Sequence, residues 1–267
     1  MLRTTAAVNA EDCIHSRRFA FRGGVGVPVV TANTEKVSEE QLENTRRVAR
    51  REAAPFVFVA VVADLLLAAW SWWHDWQLYA ANDWWIWTVL AVPALLLAIV
   101  FAFGIGRLGV SSRHRRTAAV ILLGLLALAN FVAVFLVLGS LVDGGTQMTG
   151  LQLLATAAVV LLVNIITFAL VFWEVDCGGP VARATAERRV TPDFQFPQDE
   201  NPELAPKDWV PALQDYLYIA ATNSIAFSPT DAMPLTHRAK LVMGVESFVA
   251  AVTLLIVAAR AVNILQG

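Results

Sequence analysis

The sequence predicts an all-α integral membrane protein with a re-entrant half-helix before its last span, and three observations support this fold class. The 267 residues are 57% hydrophobic and 16% charged, whereas soluble domains carry about 25% charged residues. Apolar residues come in blocks of roughly 20, the length that crosses a hydrocarbon layer about 30 Å thick. A further stretch, 209–234, is too polar for a lipid-facing helix and contains a Pro-Thr-Asp turn signal.

Residues 1–53 are predicted to be a polar N-terminal region rich in arginine. No apolar stretch follows the first basic residues, so a secretory signal is not expected. Residues 1–34 show no helical or strand period, so we expect them to be disordered; a start codon placed too far upstream is the alternative explanation. Ser38 and Gln41 fit a capping box, which would open a charged helix over 39–52. Pro55 then suits the first turn of the next helix.

Five apolar segments are predicted to be transmembrane helices, because lipid leaves backbone polar groups no partner outside the helix. The predicted spans are Pro55–Trp73, Trp84–Ile105, Thr117–Leu141, Leu151–Trp173 and Ala239–Leu265. The first four make a bundle over 54–173, a polar linker follows over 174–208, and a pore-like module occupies 209–267. If Val210–Phe227 also crosses the bilayer, there are six spans.

Arginines in the connections between spans set the predicted orientation. The connection 106–116 carries four arginines, while 74–83 and 142–150 carry no Lys or Arg. Because Lys and Arg concentrate on the cytoplasmic side, the N-terminus and the linker 174–208 are expected to be cytoplasmic. Seven of the nine tryptophans lie between 70 and 87, which is typical of an aromatic belt at the membrane interface; a ligand-stacking cage is the alternative.

Three polar residues interrupt the predicted spans near their centres: Asp64, Asn130 and Asn164. Span lengths alone bring all three to a similar depth. A charged aspartate at a helix centre costs roughly 2.5–3.5 kcal/mol on insertion scales, so it is expected to face the bundle interior and find a partner. We therefore expect an Asp64–Asn130–Asn164 polar cluster that joins three helices. It serves either helix association or a proton or cation relay.

A second set of polar residues lies in the C-terminal part of the chain. Glu246 stands among apolar neighbours in the last span, so it is expected to face protein or pore water. The stretch before this span carries Thr222, Asn223 and Ser224 and then the turn Ser228–Asp231. A half-helix followed by non-helical chain is tolerated at membrane depth only where protein or water surrounds it. This stretch therefore predicts a re-entrant loop.

The segment from Asp215 to Leu265 has a recognisable order of residue types between its two helices. An acidic residue, a proline, a threonine and a basic residue follow one another at Asp231, Pro234, Thr236 and Lys240. In this order the segment resembles the two-helix pore module of the potassium channel superfamily, and Glu246 matches an acidic position often seen in its inner helix. The filter of that family is Thr-Val-Gly-Tyr-Gly, and the matching positions here are Ala226, Phe227, Ser228, Pro229 and Thr230. Glycines permit the inward-pointing carbonyls of a potassium filter, so potassium selectivity is not carried over.

Further segments carry a second resemblance, which covers about residues 55–265. They are Asp176–Pro180, Phe196–Gln198, Asp215–Tyr218, Thr222–Asn223, Ala226–Asp231 and Arg260–Asn263. In these segments the chain is similar to uncharacterised bacterial multi-pass membrane proteins. The two resemblances imply a protein of the bacterial inner membrane, with the lipid bilayer as partner, and a homo-oligomer, most simply a tetramer. A cytoplasmic linker means that the loop enters from inside, opposite to potassium channels; ionotropic glutamate receptors resemble this inverted arrangement.

Two functions follow from these expectations. The first is a channel-like protein that conducts small cations through an oligomeric pore without a potassium-type filter, with Asp231 and Glu246 as acidic rings that favour cations. Its pore-lining or filter-like residues would be Thr222, Asn223, Ser224, Ala226, Phe227, Ser228 and Thr230. The alternative is a non-conducting structural or interaction protein that keeps a pore-like fold.

Other functional classes are not indicated by the sequence. A net charge of −2 argues against a nucleic-acid-binding protein. Cys13 and Cys177 lie far apart without a CxxC motif, so neither a zinc site nor a disulfide scaffold is expected. The four histidines do not stand beside a nucleophile or carboxylate at motif spacing. We therefore expect no enzyme activity, no cofactor and no bound metal.

Overall fold

The protein is built mainly from α-helices in the computed structural model, which describes residues 39–74, 85–102, 112–142, 149–185, 192–206, 209–228 and 231–265. Four of the described helices are long and apolar enough to cross a membrane, over Arg47–Trp73, Thr117–Gly139, Gly150–Gly178 and His237–Ala259. A shorter apolar helix covers Trp85–Ile99. The predicted all-α fold with apolar helices of membrane-spanning length is thereby confirmed, and the number of spans stays a prediction.

The first helix, α1 (Glu39–Trp73), is continuous through Pro55. The sequence predicts a charged helix over 39–52 and a separate span from Pro55, and the structure joins the two into one helix of 35 residues. Proline removes a helical hydrogen bond and often ends a helix. Here one buried face continues across it, because Ala53 and Val57 lie on either side and both are buried. Ser38, the predicted cap, lies outside the described residues.

The buried face of α1 explains where Asp64 points. Val57, Ala60, Val61, Leu67 and Ala68 are buried at spacings of three, four and seven residues, which is one face of a helix. Asp64 lies within this spacing pattern, between Val61 and Leu67. This face packs against α2 (Trp85–Ala102) and against the later helix α4 (Gly150–Val175).

Helix α4 (Gly150–Val175) is the centre of the bundle. It packs against α1, against α3 (Ser112–Val142) and against two C-terminal helices. Its membrane-length segment is 56% buried, compared with 33% for each of the other three. Its start is fixed by a capping box, in which the Thr149 hydroxyl accepts the N–H of Gln152 and the Gln152 side chain accepts the N–H of Thr149. Polar residues of α4 therefore lie deep among neighbouring helices.

A tight reversal follows α4. The chain passes through a single 3-10 turn, Asp176–Gly178, and three successive residues have positive φ: Cys177 at 51°, Gly178 at 84° and Gly179 at 108°. Glycine adopts such angles without a steric penalty, which explains the Gly-Gly pair. Pro180 then occupies the first position of the next helix, where it is well tolerated.

Residues 174–208, which the sequence predicts as a polar linker, contain several ordered elements. These are α5 (Pro180–Thr185), β1 (Phe194–Gln195) and α6 (Pro197–Glu200). Phe194 and Phe196 are buried, and their rings contact Tyr216 with centroids 6.2 and 5.3 Å away. The segment is therefore packed against the helices, because its aromatic side chains complete the core at one end of the bundle.

The C-terminal part consists of a short helix, a reversal and a long helix. Helix α7 (Leu213–Ala226) has 14 residues and ends at Phe227, which takes the left-handed conformation with φ 54°. The chain then returns, so that β2 (Met233–Pro234) pairs antiparallel with β1, Phe194 opposite Pro234. Phe194 also contacts Tyr216 near the start of α7. The returning chain therefore lies beside the N-terminus of α7.

The last helix, α8 (His237–Leu265), starts beside the start of α7 and runs in the same direction. Asn223, near the end of α7, contacts Met243 and Glu246, which lie two to three turns into α8. The buried side of α8 includes Ala239, Met243 and Val249. Helices α7 and α8 both pack against α4, so the three helices enclose a common interior.

The described tryptophans near the ends of α1 and α2 differ in exposure, and the aromatic belt stays a prediction. Trp72 and Trp73 at the end of α1 and Trp85 at the start of α2 are exposed, whereas Trp87 is buried. Exposed indoles at neighbouring helix ends are typical of the membrane interface. Trp76 and Trp84 lie outside the described residues.

Candidate functional site

A chain of hydrogen-bonded polar side chains runs through the bundle interior, and we call it the buried polar chain. It consists of Asn130 on α3, Asn164 on α4, Asn223 and Ser224 on α7, and Glu246 on α8. All five residues are buried, and Glu246 has 0% exposure. Buried polar groups are costly unless they are hydrogen-bonded, and here each finds a partner on another helix.

The structure brings two of the three predicted intramembrane polar residues into direct contact. The Nδ2 of Asn130 donates to the Oδ1 of Asn164 at 3.2 Å and to the carbonyl of Val160 at 3.3 Å. Asp64 belongs to the same region, because it lines one cavity of about 20 Å³ together with Asn130. Among the described residues no hydrogen bond joins Asp64 to either asparagine. The predicted cluster is thus a bonded pair with an aspartate across a small cavity.

Glu246 links the short helix to the long one. Its Oε2 accepts a hydrogen bond from Asn223 Nδ2 at 2.6 Å, and its Oε1 accepts one from the Ser224 hydroxyl at 3.0 Å. Asn164 Nδ2 reaches the same Ser224 oxygen at 3.5 Å. The carboxylate therefore faces the interior of its own chain.

The remaining filter-like residues take different positions. Thr222 donates to the carbonyls of Tyr218 and Ile219 in its own helix. Ala226, Phe227, Ser228 and Asp231 are exposed, at and after the end of α7. Thr230 lies outside the described residues. The predicted filter-like set therefore divides into an inward group, Asn223 and Ser224 with Glu246, and an outward group at the chain reversal.

Two buried aspartates fasten the other end of α7 and α8, in an arrangement that we call the helix-end clasp (Asp176, Arg183, Asp193, Tyr216, Thr236 and Arg238). Asp176 accepts the backbone N–H groups of Asp193 at 2.8 Å and Phe194 at 3.3 Å, and the Tyr216 hydroxyl at 2.6 Å. Burial raises the pKa of the Tyr216 phenol well above its usual range, and the adjacent Asp176 carboxylate adds to this. The hydroxyl therefore stays protonated and remains the donor.

Asp193 holds the start of α8 within the clasp. It forms a bidentate ion pair with Arg238, with Nε and Nη2 each 2.6 Å from a carboxylate oxygen. It also accepts the Thr236 hydroxyl at 2.6 Å and the N–H of Cys177 at 3.0 Å. Arg183 lies between Asp176 and the exposed Asp199, at 3.7 Å from the first and 2.8 Å from the second. One aspartate thus fixes α7 and the other fixes α8.

The clasp was not recognised as a site from the sequence, although Asp176 and Gly178–Gly179 stand out in a conspicuous Asp-Cys-Gly-Gly-Pro run. Its partners are 7 to 45 residues apart in the chain. The signal that could have found it is an aspartate directly after an apolar span, beside glycines that permit a tight reversal. Such a residue must find donors if the reversal buries it.

The chemistry open to these groups is limited. In the described part of the chain no group of three or more His, Cys, Asp or Glu is placed to hold a metal ion. The buried polar chain contains two consecutive amides, and an amide N–H is a very weak acid. The chain is therefore suited to fixing helices and stabilising charge, and it is poorly suited to passing protons along its length.

Comparison with known proteins gives no relative from which to assign the site. No family model, no curated protein and no solved structure matches this chain.

Proposed function

We propose that the protein is a channel-like membrane protein in which several copies of the chain surround a path for small cations. The observation that supports this most strongly is the chain reversal after α7. This helix enters beside α8, ends at Phe227, and the chain returns to the end at which α7 began. A short helix, a returning segment and then a long helix have the outline of a pore loop followed by an inner helix.

The length of α7 supports a re-entrant placement. Its 14 residues span about 21 Å at 1.5 Å per residue, which is short of the about 30 Å of a hydrocarbon core. The clasp ties its start to the end of α4, a helix of membrane-spanning length. The far end of α7 then lies at membrane depth, where non-helical chain needs protein or water around it.

The exposed end of α7 identifies the part that would meet the path. Ile225, Ala226, Phe227 and Ser228 are all exposed, and the last carbonyls of a helix have no partner within the helix. Lipid supplies no donors for them, whereas water or a neighbouring subunit does. Ser228 and Asp231 add a hydroxyl and a carboxylate on this surface, and a ring of carboxylates favours cations.

This proposal changes the role expected for Glu246. Both of its oxygens accept hydrogen bonds within one chain, so we assign it to holding α7 against α8 rather than to an acidic ring. The proposed lining is the outward group, Ala226, Phe227, Ser228 and Asp231. We propose a cytoplasmic N-terminus on the arginine distribution, and a bacterial inner membrane on the resemblance described above.

The alternative is a non-conducting structural or interaction protein, and one observation favours it. The bulky Phe227 is 53% exposed at the reversal, at a filter-like position where a conducting path needs backbone carbonyls or small polar groups. A ring of such side chains would form a hydrophobic constriction. The two proposals therefore differ in whether the oligomer passes ions.

Ion flux through full-length protein in sealed liposomes tests the proposal. We expect a cation flux that Asp231→Asn lowers several-fold, because the substitution removes a carboxylate beside the path. Glu200→Gln, which neutralises an exposed acid on α6, is the matched control and should leave the flux unchanged. An intact oligomer that passes no small cation or anion would overturn the channel proposal and support the non-conducting alternative.

A further inference from the structure

The hydrogen bonds of the buried polar chain have a fixed direction. Asn130 donates through Nδ2 to the backbone carbonyl of Val160, which can only accept, and this sets the orientation of its amide. The same Nδ2 donates to Asn164 Oδ1 at 3.2 Å. Asn164 therefore presents its Nδ2 to Ser224, so each amide donates toward α7.

The hydrogen bonds of the buried polar chain also point toward Glu246, from Ser224 at one carboxyl oxygen and from Asn223 at the other. Ser224 accepts from Asn164, which leaves its own hydrogen for Glu246 Oε1 at 3.0 Å. Asn223 donates to the Met243 carbonyl at 3.0 Å, which fixes its amide, and to Glu246 Oε2 at 2.6 Å. A carboxyl group with donors at both oxygens is stabilised in its ionised form. Aligned hydrogen bonds also polarise one another and strengthen this preference.

At the α3 end of the buried polar chain, the nearby carboxyl group of Asp64 lacks the fixed donors that Glu246 has. Asp64 and Asn130 line a cavity of about 20 Å³ whose other walls are apolar side chains of α1, α2, α3 and α4. Among the described residues no donor is bonded to Asp64 and no other titratable side chain lines the cavity. A cavity needs roughly 10–15 Å³ to hold one water. Because Asn130 Nδ2 already donates to Val160 and Asn164, an ionised Asp64 would find few donors in the cavity to stabilise its charge.

Within the described part of the chain, no charged side chain is paired with Asp64 or Glu246. The described partners of Glu246 are Asn223 and Ser224, both uncharged, and behind them lie Asn164 of α4 and Asn130 of α3. The two carboxyls therefore compete for charge in an apolar bundle, and the one with two fixed donors has the advantage.

We infer that Asp64 is a half-buried proton-binding site, which carries a proton and a bridging water while Glu246 carries the negative charge. The water connects the Asp64 hydroxyl to Asn130, which is the acceptor end of the directed chain. A metal cation does not suit this cavity, because its polar side chains are one carboxyl and one amide, and hard cations require about six oxygen ligands. The inference does not depend on whether the oligomer conducts ions.

Infrared spectroscopy of the full-length protein in lipid nanodiscs at neutral pH tests the inference. We expect a carbonyl stretching band of a protonated carboxylic acid that Asp64→Asn removes and that Glu246→Gln retains. Asp231→Asn, at an exposed acid, is the control and should also retain the band. Loss of the band in Glu246→Gln, its retention in Asp64→Asn, or its absence from the unchanged protein would overturn the assignment.

Isotope labelling makes the same test without a substitution. Carbon-13 in the side-chain carboxyl groups of aspartate should shift the band of the unchanged protein, and the same label in glutamate should leave it in place. A shift with labelled glutamate would place the proton on a glutamate and overturn the inference. This measurement also covers the case in which Asp64→Asn fails to fold.

Discussion

Asn223 Nδ2 lies 2.6 Å from Glu246 Oε2 and 3.0 Å from the carbonyl oxygen of Met243. One amide thus joins the last turns of the short helix α7 to a buried carboxylate and to the backbone of α8. The contact is made where the short helix has few other means of attachment, because the residues that follow, 225–228, are exposed. The first prediction concerns this amide.

Replacing Asn223 with alanine should lower the free energy of unfolding by about 1–3 kcal/mol, the cost of leaving buried polar groups unsatisfied. Glu246 would lose one donor, and the Met243 carbonyl would keep only its helical hydrogen bond. Thr222→Ala is the matched control, because Thr222 donates only to carbonyls of its own helix. Denaturant unfolding in detergent compares the two, and equal losses would show that Asn223 does not carry the helix contact.

Loss of Asp193 should open the helix-end clasp and expose Cys177. The Asp193 carboxylate accepts the N–H of Cys177 and holds Arg238 and Thr236, while Cys177 itself is buried. In a Cys13→Ser background we expect Asp193→Ala to raise the rate of maleimide labelling at Cys177 by tenfold or more. Asp199→Ala removes a more exposed ion-pair partner, and exposed pairs contribute about 0–1 kcal/mol, so labelling should barely change. Similar rates in the two variants would contradict the role given to Asp193.

Phe227→Gly should give a more stable protein than Phe227→Ala. Both substitutions remove the same ring, but position 227 has φ 54°, where a non-glycine residue pays about 1–2 kcal/mol relative to glycine. Thermal unfolding of the two variants isolates this backbone effect. Equal melting temperatures, or a higher value for alanine, would show that the reversal does not hold position 227 in the left-handed conformation.

A cysteine at position 228 should react with water-soluble thiol reagents and form disulfides between subunits if the ends of α7 surround a common path. In the Cys13→Ser background, Ser228→Cys should be labelled in liposomes and cross-linked on oxidation. Leu128→Cys, on an exposed apolar face of α3, is the control and should resist both treatments. An unreactive cysteine at 228 in a folded oligomer would argue against the proposed lining.

The apolar helices and their inward polar residues could be predicted from the sequence because each signal is local. A block of about 20 apolar residues predicts a helix of membrane-spanning length, and span lengths placed Asn130 and Asn164 at a similar depth. The structure places their side-chain atoms 3.2 Å apart. Glu246 was expected to face protein or water, and it lies fully inside the protein.

The ordered elements of 174–208 could not be predicted, because they depend on distant partners. Strands β1 and β2 have two residues each, too few for any period, and the paired residues Phe194 and Pro234 are 40 positions apart in the chain. Asp193 lies in a Pro-rich polar stretch, which the sequence alone predicts to be solvated. Only the folded chain brings Arg238 within hydrogen-bond distance of it. Likewise, Pro55 predicts a break that helix packing across Ala53 and Val57 overrides.

Because α7 and α8 run in the same direction, their macrodipoles lie side by side with like ends together, an arrangement that is electrostatically unfavourable. The positive ends of both helices, about half an elementary charge each, meet where the Asp176 and Asp193 carboxylates are buried. The carboxylates and the two helix N-termini therefore compensate one another. Neutralising either aspartate would remove one of the two carboxylates that offset these like partial charges, so the acid pair favours a parallel helix pair at this place.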